Sequence, residues 1–198
     1  MLGAAAIAMW WEVSRHVRAE WEQWHTYEHM PERLAIPGFL RGTRCVALAD
    51  EGAYFVLYEA ADLAVITSGP YLERLNHPTP WSREMMPHHQ NMVRSLCVVR
   101  ASHGRGLPYA LATLRFSGDV APELPKGEGI TSAALLESQP MPGAPTAEQR
   151  IRGGDASADK VVLVGGYDAQ AVRDAAGKLA VAGAILGLYR VSYSLGSR

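Results

Sequence analysis

Within eight residues, from His25 to Glu32, the chain places two histidines and two glutamates, and Arg33 follows at once. The longer run 24–39, WHTYEHMPERLAIPGF, reads as the end of a helix and then a sharp Pro37-Gly38 turn into a strand. Imidazole titrates near neutral pH and a neighbouring carboxylate tunes it, so this grouping suits general acid–base work. His25, Glu28 and His29 also spell H-x-x-E-H, a zinc-peptidase signature. Histidines at i and i+4 share one helix face and can hold a metal, with the glutamate as base. A third ligand would have to come from elsewhere, and His88, His89 and Glu84 are candidates by composition only. Pro31 interrupts the helix directly after the motif, and short motifs recur by chance. No metal and no cofactor are therefore expected.

The same residues also admit a structural reading. Glu28, Glu32 and Arg33 can form a knot of ion pairs and hydrogen bonds that fixes the bend before Pro37, and a histidine is electrostatically favoured near a helix C-terminus. Glu32 and Arg33 read first as such a knot. For acid–base chemistry His29 is the first choice, Glu28 its helper and His25 the second choice. Trp10, Trp21, Trp24, Tyr58 and Trp81 are the residue types of a core. Yet all five tryptophans and six of the seven histidines lie before residue 90, which suits a flat apolar or aromatic ligand in the first half. Trp21, Trp24, Arg33, Tyr58 and Trp81 are the expected substrate contacts. His88 and His89, adjacent and so about a third of a turn apart on a helix, read as a solvated helix end.

These residues need elements to position them. Ala5–Val13 reads as a strand buried on both faces, Val17–Met30 as a helix, and Pro31–Leu34 as a fresh turn. Phe39–Ala49 and Ala53–Glu59 read as strands joined by an Asp50-Glu51-Gly52 hairpin. A helical region from Asp62, broken by prolines, and a further piece over Trp81–Asn91 precede a strand at Met92–Arg100. The order is β-α-β-β-α-β, the split unit of ferredoxin-like folds. Ala101–Leu107 reads as a linker. The second half repeats the order with strands at Tyr109–Phe116, Ile130–Glu137, Val161–Gly165 and Gly187–Leu195, and a helix at Asp168–Leu179 capped by Asp168. Its first helix is expected to be eroded, because Ser117–Gly129 is rich in proline and glycine. Ser138–Asp159 reads as an exposed, mobile loop.

The formal charge of −1 over 198 residues argues against nucleic acid or an anionic membrane as partner. Cys45 and Cys97 are the only cysteines and read as buried thiols. The apolar run Leu2–Trp11 lacks a basic leader and falls short of the ~20 residues that span a bilayer. It reads as a first strand, and a cytoplasmic protein is expected.

The helix motif, the strand YFVLYE and the later NHPTPWSREM together resemble the EthD-like branch of the dimeric α+β-barrel superfamily, over about residues 5–100. Trp24, Glu28, His29, Pro31, Glu32 and Arg33 match its helix pattern, Tyr58 and Glu59 its strand, and Thr79, Pro80 and Trp81 its loop. His25 departs from it, standing where relatives more often carry tyrosine. The resemblance implies a barrel with a pocket between sheet and helices. The superfamily includes monooxygenases, haem-binding peroxidases, isomerases and cyclases, and by that analogy alone His88 or His89 would be a haem ligand.

The expected fold is therefore α+β, with two ferredoxin-like repeats (1–103 and 104–198) packed sheet on sheet as an intrachain barrel. The expected function is cofactor-free proton transfer or oxygenation on a small apolar or aromatic carbonyl compound. The alternative is a non-catalytic protein that binds such a molecule or assembles through its barrel, and a homodimer is compatible with either.

Overall fold

The computed structural model describes residues 1–140 and 143–197. Its strands are β1 (Ala5–Glu12), β2 (Phe39–Ala47), β3 (Ala53–Ala60), β4 (Gln90–His103), β5 (Ala110–Phe116), β6 (Ile130–Gln139), β7 (Lys160–Gly166) and β8 (Ile185–Gly196). Its helices are α1 (Arg18–Trp24), α2 (Met30–Leu34), α3 (Gly69–Asn76), α4 (Pro80–Met85), α5 (Ala147–Arg152) and α6 (Ala169–Lys178).

The eight strands close into one antiparallel barrel in the order β1-β3-β2-β8-β5-β7-β6-β4. Each half of the chain contributes four neighbouring strands, β4-β1-β3-β2 and β8-β5-β7-β6. The expected intrachain barrel is present, and its two four-stranded sheets do more than pack face to face. They also join edge to edge, through β2 with β8 and β4 with β6. The physical reason is that an edge strand carries unpaired backbone groups, and closure pairs all of them.

β1 shows why its sequence is apolar from Ala5 to Trp11. Ala6, Ala8 and Trp10 point into the barrel, against Phe55, Leu57, Leu136, Leu163 and Tyr189. Ile7, Met9 and Trp11 point outward, beneath Trp21, Trp24 and Met30 of the helical layer. An eight-stranded barrel is just wide enough for side chains to fill, so the interior is mostly core. The outer face of the second half is covered by α6, through Val172 and Ala176 on Leu114, Val162 and Val164. Ser117–Gly129 contains neither helix nor strand. Cys45 and Cys97 are buried and unpaired, and burial pushes both thiols up to about 12. No helix among the described residues is long and apolar enough to cross a membrane.

Three further expectations change. The linker begins later, because Ala101, Ser102 and His103 continue β4 and pair with Leu135, Ala134 and Ala133 of β6. Trp81–Asn91 is not one helix: α4 ends at Met85, a 3-10 turn spans Met86–His88, and β4 begins at Gln90, as Pro87 in that turn suggests. The segment expected to be an exposed loop, 138–159, carries α5, whose Thr146 and Gln149 form a reciprocal capping box and whose Glu148 is buried. Met141 and Pro142 of that segment lie outside the described residues.

Gly42 on β2 sets how closely the helical layer seats. A Cβ there would stand 2.9 Å from Met30 and 2.9 Å from the Tyr58 ring. Gly42→Val is expected to lower the urea midpoint by an overpacking cost of about 1–3 kcal/mol. A variant as stable as the parent would show that Met30 and Tyr58 move aside freely.

Candidate active site

Between β1, β3 and β4 on one side and the helical layer on the other lies a narrow, largely buried cavity of about 20 Å³. That is room for about one water. Its walls include Met9 and Trp11 of β1, His25, His29 and Arg33, Tyr58 of β3, Met86 and His89, and Glu148 and Arg152 of α5. Among the described residues, eight buried side-chain polar atoms have no hydrogen-bond partner, and seven of them belong to this lining. They are Trp11 Nε1, both nitrogens of His25, Nδ1 of His29 and of His89, Arg33 Nη1 and Tyr58 Oη. Buried polar groups are normally paired, so such a concentration marks a place built to meet something other than the protein itself. A second cavity of about 50 Å³, at one end of the barrel, is lined by Leu57, Leu111, Leu163 and Val191 beside the Arg41–Glu59 ion pair and has none.

The helix that carries the histidines is not regular. Between α1 and α2, His25–His29 forms a π-helical turn in which Met30 N–H bonds to His25 O. Pro31 supplies the cause. It has no N–H to offer Tyr27 O, and in a regular α-turn its ring would strike that carbonyl. Widening the turn relieves the contact and lets the chain continue as one helical run. His25 and His29 face the cavity with ring centroids 5.5 Å apart.

Aromatic rings hold all three imidazoles. His25 stacks on Trp21 at 5.0 Å, His29 lies 4.5 Å from Trp24, and His89 lies 4.8 Å from Trp11. Trp21 Nε1 donates to His89 Nε2 at 2.7 Å. An indole nitrogen only donates, so Nε2 of His89 carries the lone pair and Nδ1 carries the proton. His89 therefore offers the cavity a donor. All three histidines lie well below the usual imidazole range, first because they are buried. Arg44 adds to the effect at His25, Arg33 at His29 and Arg152 at His89. They are neutral at pH 7. Burial also raises the Tyr58 hydroxyl, which stays a protonated donor.

Arg33 is 2 % exposed. Burial opposes its charge, but Glu148 and the hydroxyls of Tyr71 and Tyr58 outweigh that, so it is held protonated. Its Nη2 donates to Glu148 in a short contact, and Glu148 also faces Arg152 at 3.6 Å. Arg94 donates to the Tyr71 hydroxyl at 3.0 Å.

The expected site residues thus divide. His25, His29, Arg33 and Tyr58 line the cavity. Glu28 does not: its carboxylate accepts from Trp24 Nε1 at 3.2 Å, Thr79 Oγ1 at 2.5 Å and Ser82 Oγ at 3.4 Å. Thr79 in turn caps α4, so Glu28 ties the π-helical turn to α4. Trp21 and Trp24 stand behind the histidines, and half-buried Trp81 packs on the core away from the cavity. Glu32 pairs with Arg74 at 3.2 Å. His89 departs from its expectation as a solvated helix end. It is buried, because β4 begins immediately after it and draws the chain under Trp11. Trp11, Glu148 and Arg152 were not singled out by the sequence either. Among the described residues no group of three His, Cys, Asp or Glu side chains is placed to hold a metal ion.

Comparison with solved structures places this architecture. The eight-stranded barrel fold is shared, at low identity, with several solved structures. An anthrone oxidase-like protein matches with a TM-score of 0.57 at 10 % identity, over 98 % of this chain and 93 % of that one. A candidate monooxygenase of Fusobacterium nucleatum matches with a TM-score of 0.57 at 10 % identity, over 99 % and 96 %. Another from Lactobacillus acidophilus matches at 0.55 and 6 % identity, over 98 % and 97 %. At these identities the likeness shows the fold alone. No protein-family model matches the sequence, and no curated protein does.

Neutral burial of three histidines has a consequence for stability. Their folded pKa values lie below the unfolded value of about 6.5, so the unfolded chain binds more protons as pH falls. Stability is therefore full above about pH 7 and is lost as pH drops below 6.5, with a slope approaching about 1.4 kcal/mol per pH unit for each histidine. Urea midpoints between pH 8 and pH 5 check this. A flat profile, or one unchanged by His25→Phe, would contradict the neutral assignment.

Proposed function

We propose that this protein is a cofactor-independent oxygenase of the EthD-like type, built from two ferredoxin-like repeats and acting on a small aromatic carbonyl compound. The observation that carries the reading is the small, largely buried cavity in which neutral histidines and unpartnered donors converge. A neutral imidazole with an open nitrogen accepts a proton. Tyr58 Oη–H, Arg33 Nη1–H and His89 Nδ1–H are donors for an oxygen that gains negative charge.

His29 takes the proton from the carbon adjacent to the carbonyl, with His25 as the second choice. The resulting enolate oxygen is held by the donors. The enolate passes one electron to O2, and the radical pair combines as a peroxide on that carbon. The proton returns from His29 to the peroxide, and the hydroperoxide eliminates water to leave a new carbonyl. One CH2 and one O2 become one C=O and one H2O. The lowered imidazole pKa makes His29 a weak base by itself, and the nearby guanidiniums compensate by stabilising the anion that forms. Met9, Met86 and Met92 in the wall are adaptable side chains, which suits a cavity that must enlarge to admit a ring.

Anthrone, the compound in the name of one structural neighbour, is the first substrate to test. With the purified protein in air, anthraquinone is expected to form with one O2 consumed per anthrone, and not under nitrogen. His29→Ala is expected to lower kcat by about 100-fold or more. Glu28→Gln is expected to lower the melting temperature while leaving kcat nearly unchanged. Full activity in His29→Ala would remove the base assignment. Absence of oxygen uptake with anthrone and related aromatic ketones would leave ligand binding without turnover as the function.

A further inference from the structure

We propose that the ligand of this cavity carries a carboxylate, which binds the Arg33 guanidinium in place of Glu148 and releases α5 as a lid. The inference deepens the proposed function by naming the substrate as an aromatic carbonyl compound bearing an acid group. Three observations lead to it.

The first is the state of the Arg33 fork. Nη2 donates to Glu148 Oε1, while Nη1 is buried in the cavity wall with no hydrogen-bond partner and only Glu32 Oε2 at 4.0 Å. A guanidinium fork binds carboxylate best through two parallel bonds. Glu148 gives Arg33 one oxygen and turns the other towards Arg152. A protein carboxylate thus already sits on this cation, in a lining that holds three arginines and no other carboxylate. The chain's own side chain shows which chemistry the position accepts.

The second is an asymmetry in what exchange would cost. Arg152 keeps Asp155 whether or not Glu148 stays, through Nε at 3.1 Å and Nη2 at 2.9 Å. Arg33 has no other hydrogen-bonded anion. Leaving a buried ion pair half-made is strongly unfavourable, so Glu148 departs readily only when another anion takes its place. A neutral ligand such as anthrone enters without that exchange and is expected to show a much higher KM than a carboxylated analogue.

The third is the hinge. α5 ends at Gly153 (φ 84°) and Gly154 (φ 98°), where added Cβ atoms would meet nothing within 4 Å. Beyond them the chain is pinned to β4: Ala156 O accepts from Arg94 N at 2.8 Å, and Ala156 N donates to Met92 O at 3.0 Å. The Arg152–Asp155 pair spans these glycines, so α5 pivots about that pair, releasing the Ala147 N–H bond to Asn76 Oδ1 and the packing of Ile151 while the barrel strands stay paired. This movement is what a cavity of about 20 Å³ requires before it can take an aromatic ring.

Benzoate and its neutral ester methyl benzoate are suitable probes, titrated by calorimetry in the absence of any oxidisable substrate. Benzoate is expected to bind the parent, and Glu148→Gln to bind it at least tenfold more tightly, because the competing carboxylate is gone. Methyl benzoate is expected to bind neither measurably. Hydrogen exchange is expected to quicken over 148–152 of the parent when benzoate is added. Methyl benzoate binding Glu148→Gln as tightly as benzoate, or benzoate failing to bind it, would overturn the proposal. So would slower exchange over α5. Arg33→Met, provided it retains the parent circular dichroism, should lose benzoate. Binding without oxygenation of any ketone would fail the proposed function and leave this inference standing; oxygenation of neutral ketones alone, with no benzoate binding, would do the reverse.

Discussion

Pro31 is the constraint on which the site depends. A proline inside a helical run must either break it or be accommodated, and here a single π-helical turn accommodates it. That turn keeps α1 and α2 as one continuous path while changing the angular register between them. His25 and His29 fall on the cavity side before the proline, and Arg33 reaches the same cavity after it. Glu28 is turned out of the cavity towards Thr79 and Ser82, where it fastens the distorted turn to the start of α4. A spelling that resembles a metal site is thus divided by backbone geometry into two cavity groups and one tether.

The polar groups of the cavity are costly where they stand. Three neutral imidazoles and a phenol are surrounded by indole rings and methionines, and their open nitrogens and hydroxyl find no partner within the protein. The same layer, filled with leucine and phenylalanine, would be more stable. Places where local preference and packing disagree in this way are those where function supplies the reason. The indoles also act individually: Trp21 fixes the His89 tautomer, and Trp24 bonds Glu28 and Ser82.

Much of the fold was legible because it rests on local signals. Alternation and turn chemistry placed all eight strands to within a few residues, and Asp168 announced α6. The strand order is the same in each half, β4-β1-β3-β2 and β8-β5-β7-β6, although the helices between the strands differ. An intrachain barrel was expected from the duplicated strand order, but no residue pattern in β2 or β6 names its partner strand across the chain. The site was half legible. His25, His29, Arg33 and Tyr58 carry chemistry in their type and spacing. His89 looked solvated because its burial is decided by Trp11 and Trp21, far away in sequence. Glu148 and Arg152 lie in a run rich in proline and glycine, whose composition conceals a six-residue helix.

Closure within one chain explains why the site can be asymmetric. The link between β2 and β3 is a tight turn at 50–52, whereas the corresponding link between β6 and β7 is long and holds α5. Because β6 pairs with β4, that link emerges beside the first half's helical layer, and Ala156 bridges to Val93 of β4. In an assembly of two identical chains, any change made to cover one cavity would be made at both. A single chain is free of that constraint. Its second half has no helix over Ser117–Gly129 and instead holds one between β6 and β7 that carries Glu148 across to Arg33. The first half holds the histidines, and the second supplies the helix that closes over them.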